Sequence, residues 1–157
     1  MKYANIAFLS LGSNIGDRHH FMDQAIWEIS KIPEIQILKQ SERLETAPLE
    51  NTNQPHFLNQ ILKVFVPSGF SLLCMLDTMQ GIEERLGRKK RSWKGPREID
   101  IDILTYEAVE MKTENLSLPH HSMYTRPFIK QMLTGMGEIG VYSLFQEYKN
   151  EKHHSPV

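Results

Sequence analysis

The stretch Gly95-Pro96-Arg97-Glu98-Ile99-Asp100-Ile101-Asp102-Ile103-Leu104 alternates isoleucines with acidic residues after a Gly-Pro break. Side chains two apart on a strand share a face, so this pattern predicts a strand with one apolar face and one carboxylate face. Two aspartates held side by side repel each other unless a positive charge lies between them. Because Mg2+ binds oxygen ligands, the carboxylate face is a candidate metal site.

A dense group of basic residues precedes this strand. Seven of the 18 lysines and arginines lie in one segment: Arg85, Arg88, Lys89, Lys90, Arg91, Lys94 and Arg97. The formal net charge of the chain is only -1, so the positive charge is local. Cations beside paired carboxylates indicate a polyphosphate and its metal. A short cluster also favours one anionic ligand over a long nucleic-acid track.

Length and composition predict one globular domain over residues 1–157, with residues 149–157 as a flexible tail. The single cysteine, Cys74, lies in an apolar run and is predicted to be a small buried residue in a reducing compartment. The N-terminal residues are too short and too alternating for a signal peptide, and no apolar run approaches membrane-spanning length. We therefore expect a cytoplasmic protein.

Periodicity and turn residues predict a clear order of elements. These are a strand at 3–11, a helix capped by Asp17 and ending before Pro33, a strand at 35–46, a loop at 47–55, a strand at 56–66, a helix ending at Gly87, the acidic strand from 99, and a helix at 124–136. The third strand places Phe57 and Asn59 on one side.

This order is a split βαβ arrangement, because two strands follow each other between the first two helices. It predicts an α+β fold, a ferredoxin-like α/β sandwich with an antiparallel sheet and helices on its faces. A doubly wound parallel fold is disfavoured, since the second and third strands have no helix between them.

The individual chemical signals leave alternatives open. Paired aspartates alone more often mark a solvated strand face, and Gly12-Ser13-Asn14 is more simply a turn than an anion site. His120 is a phosphate donor, a metal ligand or a surface residue. Trp93, in a polar loop, could stack on a flat ring. No Gly-x-x-x-x-Gly-Lys-Ser/Thr motif is present, which excludes a P-loop enzyme.

Further short motifs occur in a fixed order along nearly the whole chain. They are Ser10 to Arg18 (SLGSNIGDR), Thr46 to Leu49 (TAPL), Gln54 to Asn59 (QPHFLN), Gln80 with Glu83, Leu86 to Arg88 (LGR), Gly95 to Leu104, and His120 through Arg126-Pro127-Phe128. In this order and spacing they resemble the 6-hydroxymethyl-7,8-dihydropterin pyrophosphokinases.

The resemblance implies a ferredoxin-like enzyme of folate biosynthesis that transfers pyrophosphate from ATP to the pterin and releases AMP. It implies two Mg2+ ions held by Asp100 and Asp102, with Arg88 and Arg97 as further catalytic residues. Both substrates are small molecules, and we expect a monomer without nucleic-acid or membrane partners.

The same resemblance assigns the two substrate sites. The ATP site would comprise Gln80, Glu83, Arg88, Arg97, Ile103, His120, His121 and Arg126. The pterin site would comprise Thr46, Ala47, Leu49, Phe57, Asn59, Trp93 and Phe128. The chain departs from the family pattern just before Gly95, where Lys94 stands in place of the covering tryptophan and the loop is one residue short. Which of Lys89, Lys90 and Arg91 contacts phosphate is left open.

Two rival functions remain at this point. A ferredoxin-like module could bind nucleic acid through the basic loop, although the chain lacks an aromatic-rich RNA-binding strand. A metal-dependent nuclease or phosphatase could use the same aspartates.

Overall fold

The computed structural model describes residues 4–89 and 95–146. Its strands are β1 (Ala4–Ser13), β2 (Gln36–Gln40), β3 (Leu44–Thr46), β4 (Phe57–Pro67), β5 (Asp100–Tyr106), β6 (Met111–Lys112) and β7 (Ser117–Leu118). Its helices are α1 (Arg18–Ser30), α2 (Leu72–Arg85), α3 (Ser122–Thr125) and α4 (Pro127–Gly135), followed by a 3-10 helix at Ile139–Leu144. The predicted tail at 149–157 lies outside the described residues.

The main sheet has the order β2-β4-β1-β5, and β3 also pairs with β4. Every pairing is antiparallel, and β1 lies in the centre between β4 and β5. This arrangement confirms the predicted α+β ferredoxin-like sandwich. A separate two-stranded sheet, β6 with β7, follows β5.

Helices cover both faces of the sheet. On one face, α1 and α2 bury a core of strand side chains that includes Leu9, Leu62 and Ile101. On the other face, α3, α4 and the 3-10 helix pack on a smaller core that includes Phe8 and Ile61. The second core covers only part of its face, which leaves room for a site on the same face.

Local signals set the helix ends as expected. The Asp17 side chain accepts a hydrogen bond from the backbone N–H of His20 (3.1 Å), which caps α1. Gly87 follows α2 with φ +92°, a left-handed conformation that glycine adopts without steric cost. Within the described residues, no helix is long and apolar enough to cross a lipid bilayer.

Four sequence predictions were wrong in detail. Gly12 and Ser13, predicted to form a turn, are the last two residues of β1. The strand at 35–46 is split into β2 and β3. The helix at 124–136 is split at Arg126, whose extended backbone precedes Pro127, because proline disfavours a helical residue before it. Cys74 is exposed rather than buried, since the buried stripe of α2 runs through Met75, Met79 and Ile82.

Candidate active site

The two aspartates of β5 project from one face of the sheet. Asp100 lies opposite Gly12 of β1, and Asp102 lies opposite Ser10. Opposed residues of an antiparallel pair share a face, so both carboxylates lie beside the open half of the second face. The intervening Ile101 is buried in the main core, as the alternation predicted.

Two arginines pair with this acidic cluster. Arg88 Nη1 lies 2.8 Å from Glu83 Oε2 and 3.0 Å from Asp100 Oδ1. Arg97 Nη1 lies 3.4 Å from Asp100 Oδ2. Three carboxylates, those of Glu83, Asp100 and Asp102, therefore share two guanidinium groups, which leaves an excess of negative charge beside the sheet.

Burial, together with this excess of negative charge, raises two pKa values. Desolvation, followed by the negative charges of Asp100 and Glu83, raises the pKa of Asp102 well above its ordinary value. Desolvation and the charge of Asp100 raise the pKa of Glu83 from 4.5 to about 7. Both shifts show that added positive charge would stabilise the ionised cluster.

Glu83 is also part of the framework of the site. Its side chain is only 8% exposed, and Oε2 accepts a hydrogen bond from the backbone N–H of Ile101 (2.7 Å). Glu83 thus ties α2 to β5 and orients Arg88. Its predicted contact with nucleotide stays a prediction.

The first cavity, of ≈ 250 Å³, combines an aromatic part with the charged cluster. It is lined by Ser10, Gly12, Thr46, Phe57, Asn59, Arg88, Arg97, Asp100, Asp102, His120, His121, Ser122, Arg126, Phe128 and Ile129. Asn59 is held in place because its amide nitrogen donates to Thr46 Oγ1 (2.7 Å) and to the Leu44 carbonyl (3.1 Å). The cavity can therefore accept a flat, polar-edged ring beside a charged group.

Gly12 lines this cavity and, because it has no side chain, leaves space between Phe57 and Asn59. A methyl group at this position would lie 3.6 Å from Asn59 Oδ1 and 3.7 Å from Phe57 Cδ1, which is ordinary contact. Any longer side chain at this position would enter the space between the two residues.

The second cavity, of ≈ 370 Å³, runs along α2 and the β6–β7 hairpin. It is lined by Leu76, Gln80, Glu83, Arg88, Asp100, Ile101, Asp102, Ile103, Thr113, Glu114, Asn115, Leu116, Ser117, His120 and His121. The two cavities share the aspartate pair, Arg88, His120 and His121. Two ligands bound side by side would therefore meet at the carboxylates.

His120 stands at this junction in a defined orientation. Its Nδ1 accepts a hydrogen bond from the backbone N–H of Ser122 (3.2 Å). In the neutral ring Nε2 then carries the proton, and Nε2 lies 3.9 Å from Asp102 Oδ1. His120 can thus donate a hydrogen bond into the shared space.

Most residues predicted for the site come together here. Leu49 lines a small third cavity, which also includes Phe57, Arg97 and Arg126. Ala47 is exposed and is not among the residues that line these three cavities. Trp93 lies outside the described residues.

Sequence reasoning missed several lining residues. Ser10 and Gly12 alternate with the buried Leu9 and Leu11 on β1. This alternation indicates that they lie on the opposite face of the sheet from the leucines, but not that a cavity lies on that face. Ser122 and the hairpin residues around Leu116 carried no signal, because tertiary packing alone brings them to the cavities.

The side chains of the site provide only some of the ligands that a hard divalent cation such as Mg2+ needs. Within residues 4–89 and 95–146, no group of three or more His, Cys, Asp or Glu side chains is arranged to hold a metal. Asp100 and Asp102 still offer carboxylate oxygens on one face of the sheet. Mg2+ is commonly held by one or two carboxylates together with substrate phosphates and water.

Comparisons with known proteins show the family of the chain. The model of the 7,8-dihydro-6-hydroxymethylpterin-pyrophosphokinase (HPPK) family matches residues 8–138. The 2-amino-4-hydroxy-6-hydroxymethyldihydropteridine pyrophosphokinase of Bacillus subtilis is 37% identical over 125 residues, which cover 80% of this chain and 74% of that protein.

Two similar proteins are much longer than the chain. Folic acid synthesis protein fol1 of Schizosaccharomyces pombe is 38% identical over 131 residues, which are 83% of this chain and 18% of that protein. Bifunctional protein FolKE of Lactococcus lactis (strain IL1403) is 39% identical over 122 residues, which are 78% of this chain and 34% of that protein. The chain therefore spans only a minor part of the length of these relatives.

A solved structure supports the fold. The HPPK-DHPS of Plasmodium falciparum with pteroate superposes with a TM-score of 0.62 and 18% identity, covering 96% of this chain and 44% of that one. This similarity bears on the fold alone. With the family model covering most of its length, the chain belongs to the 7,8-dihydro-6-hydroxymethylpterin-pyrophosphokinase family.

Proposed function

We propose that this chain transfers pyrophosphate from ATP to the hydroxymethyl oxygen of 6-hydroxymethyl-7,8-dihydropterin and releases AMP, in folate biosynthesis and with Mg2+. One observation carries the proposal: an aromatic cavity and a second, larger cavity meet at Asp100 and Asp102. A transfer between two substrates needs such a junction, because their reacting atoms must lie within contact distance. Family membership supports the same reaction.

The pterin ring would occupy the aromatic part of the first cavity. Phe57 and Phe128 both line this part, and flat rings bind favourably between aromatic side chains. Asn59 would then present its Oδ1 to the polar edge of the ring, since both hydrogen bonds to its amide nitrogen are already made within the protein. Thr46 and Leu49 would complete this half.

ATP would occupy the second cavity with its phosphates at the junction. Gln80 and Ile103 line the second cavity only, while Arg88 and His120 line both cavities and so lie at the junction. Guanidinium groups bind phosphate well because they stay charged and donate in a fork. Arg97 and Arg126 line the first cavity, where they could reach the phosphates from the pterin side.

Asp100 and Asp102 would hold Mg2+, two ions in our proposal, together with phosphate oxygens of ATP. The metal would neutralise the charge of the phosphates during an in-line displacement. Because the protein supplies few ligands, we expect Mg2+ to bind weakly alone and more tightly with ATP.

In the reaction the pterin hydroxymethyl oxygen forms a bond to the β-phosphorus of ATP, and the bond from that phosphorus to the α–β bridging oxygen breaks. AMP leaves with the bridging oxygen, and the hydroxyl proton is released. The role of Arg88, Arg97 and His120 is to place hydrogen-bond donors around the oxygens that gain charge. The aromatic cavity holds the nucleophile in line.

A direct experiment distinguishes this function from its rivals. The protein is incubated with ATP, Mg2+ and the pterin, and the nucleotide products are separated. We expect AMP and pterin diphosphate in equal amounts, and only when the pterin is present. ADP as the product, or ATP hydrolysis that is independent of pterin, would contradict the proposal and favour a kinase or a phosphatase.

A further inference from the structure

Asn14, the first residue after β1, has a buried side chain whose contacts leave the turn that contains it. It is 1% exposed. Its Oδ1 accepts a hydrogen bond from the backbone N–H of Arg97 (2.8 Å), and its backbone N–H donates to the Arg97 carbonyl (3.1 Å). Its Nδ2 donates to Gln54 Oε1 (2.9 Å) and to the Pro55 carbonyl (3.0 Å).

These contacts require an amide at this position. The Arg97 N–H can only donate and the Pro55 carbonyl can only accept, so the orientation of the Asn14 amide is determined by its partners. An aspartate would lose both donors toward residues 54 and 55. An alanine would leave the partly buried N–H of Arg97 and carbonyl of Pro55 without this partner, which is unfavourable.

The two segments joined by Asn14 carry the two halves of the site. Residues 47–56 lead from Thr46 to Phe57 on the pterin side, and residues 95–99 carry Arg97 to the edge of the metal strand. Neither described segment lies in a helix or a strand. Their relative position therefore depends on side-chain contacts such as those of Asn14.

We propose that Asn14 is a positioning residue that couples the pterin half of the site to the phosphate-binding Arg97. This inference rests on the proposed function. When a ring packs against residues 47–57, the hydrogen bonds of Asn14 keep the backbone of Arg97 at a fixed position relative to that segment. The Arg97 guanidinium, 3.4 Å from Asp100 Oδ2, is thereby kept at the junction of the two cavities.

A double-mutant cycle tests the coupling through the rate of AMP release. Arg97→Ala removes the guanidinium but leaves the backbone that Asn14 binds. Asn14→Ala should lower kcat/KM by roughly 10- to 100-fold in the wild-type background, the range for residues that orient others. It should have much less effect in the Arg97→Ala background. Equal fold-losses in both backgrounds would overturn the inference.

The matched control is Asn5→Ala near the start of β1, the strand that ends just before Asn14. Asn5 Nδ2 donates to Tyr106 Oη (3.1 Å), away from the cavities, so its loss should leave kcat/KM unchanged. If Asn14→Ala does not fold, Gln54→Ala replaces it in the cycle, because it removes one of the hydrogen bonds made by Asn14. Additive losses for Gln54 and Arg97 would again overturn the inference.

Hydrogen exchange supplies a readout that needs no turnover. Gln54→Ala should accelerate exchange of the Arg97 amide, because Asn14 transmits the loss from one segment to the other. Unchanged protection at Arg97 would contradict the coupling even in an inactive preparation. A wild-type protein that makes no AMP would instead contradict the proposed function, so the two failures are distinguishable.

Discussion

Replacing Glu83 by glutamine should remove much of the pH dependence of stability. The pKa of Glu83 is raised from 4.5 to about 7 in the folded protein. The folded state therefore holds a proton that the unfolded state releases above pH 4.5, so the unfolding free energy falls as pH rises. At ~1.4 kcal/mol per pKa unit, this shift corresponds to roughly 3 kcal/mol.

The sign and the pH window follow from the direction of the shift. The contribution of Glu83 is fully present below pH 4.5, and it is lost as pH rises through about 7. Asp102, whose pKa is also raised, adds a change in the same direction. In Glu83→Gln the amide oxygen can still accept from the Ile101 N–H, so the fold should be kept while the Glu83 contribution to the slope disappears and that of Asp102 remains.

The assay is urea denaturation between pH 4 and pH 8.5 without metal or nucleotide. The control is Glu84→Gln, a change at the exposed neighbour on the same helix, which should keep the wild-type slope. If Glu83→Gln shows the same decline in unfolding free energy as the wild type, Glu83 is not protonated in the folded protein. The electrostatic description of the site would then be refuted.

Three further changes test other parts of the site. Asp100→Asn or Asp102→Asn should lower AMP release by more than ~100-fold, because each removes a proposed metal ligand. The melting temperature should be kept, because the substitution relieves repulsion between carboxylates. Near-full activity in either variant would contradict the metal assignment. Gly12→Leu should raise the KM for pterin while Gly12→Ala does not, since only the longer side chain fills the first cavity. If calorimetry shows that Gly12→Leu weakens the binding of an ATP analogue as much as that of pterin, the placement of pterin in this cavity would be contradicted. Glu138→Ala should lower the unfolding free energy by about 1 kcal/mol in denaturant titrations, because its carboxylate accepts hydrogen bonds from two lysines; an unchanged value would show that this partly exposed contact is neutral.

The acidic strand was predictable because its pattern is local. Burial alternates from Ile99 to Ile103 as the residue types do, with Ile99, Ile101 and Ile103 at 0%, 6% and 2% exposure. The cap at Asp17 and the helix end at Gly87 were equally predictable, since both depend on the chemistry of one or two residues.

Register and long-range packing were not predictable in the same way. The alternation of side chains predicts which face of the sheet each residue occupies, but not which residue of the neighbouring strand lies opposite. That Gly12 lies opposite Asp100 was therefore known only from the structure. The apolar residues of α2 cover more than one side of the helix, so the sequence alone did not show that Cys74 is exposed while Met75, Met79 and Ile82 are buried. The contacts of Asn14 join segments 40 and 83 residues away, beyond the reach of local pattern.

The most direct test of the central claim is a measurement of AMP release from ATP as a function of pterin and Mg2+. If transfer occurs at the junction of the two cavities, we expect equal amounts of AMP and pterin diphosphate, no AMP without pterin, and loss of product when Mg2+ is removed. AMP or ADP formed at the same rate without pterin would contradict a transfer at the junction of the two cavities.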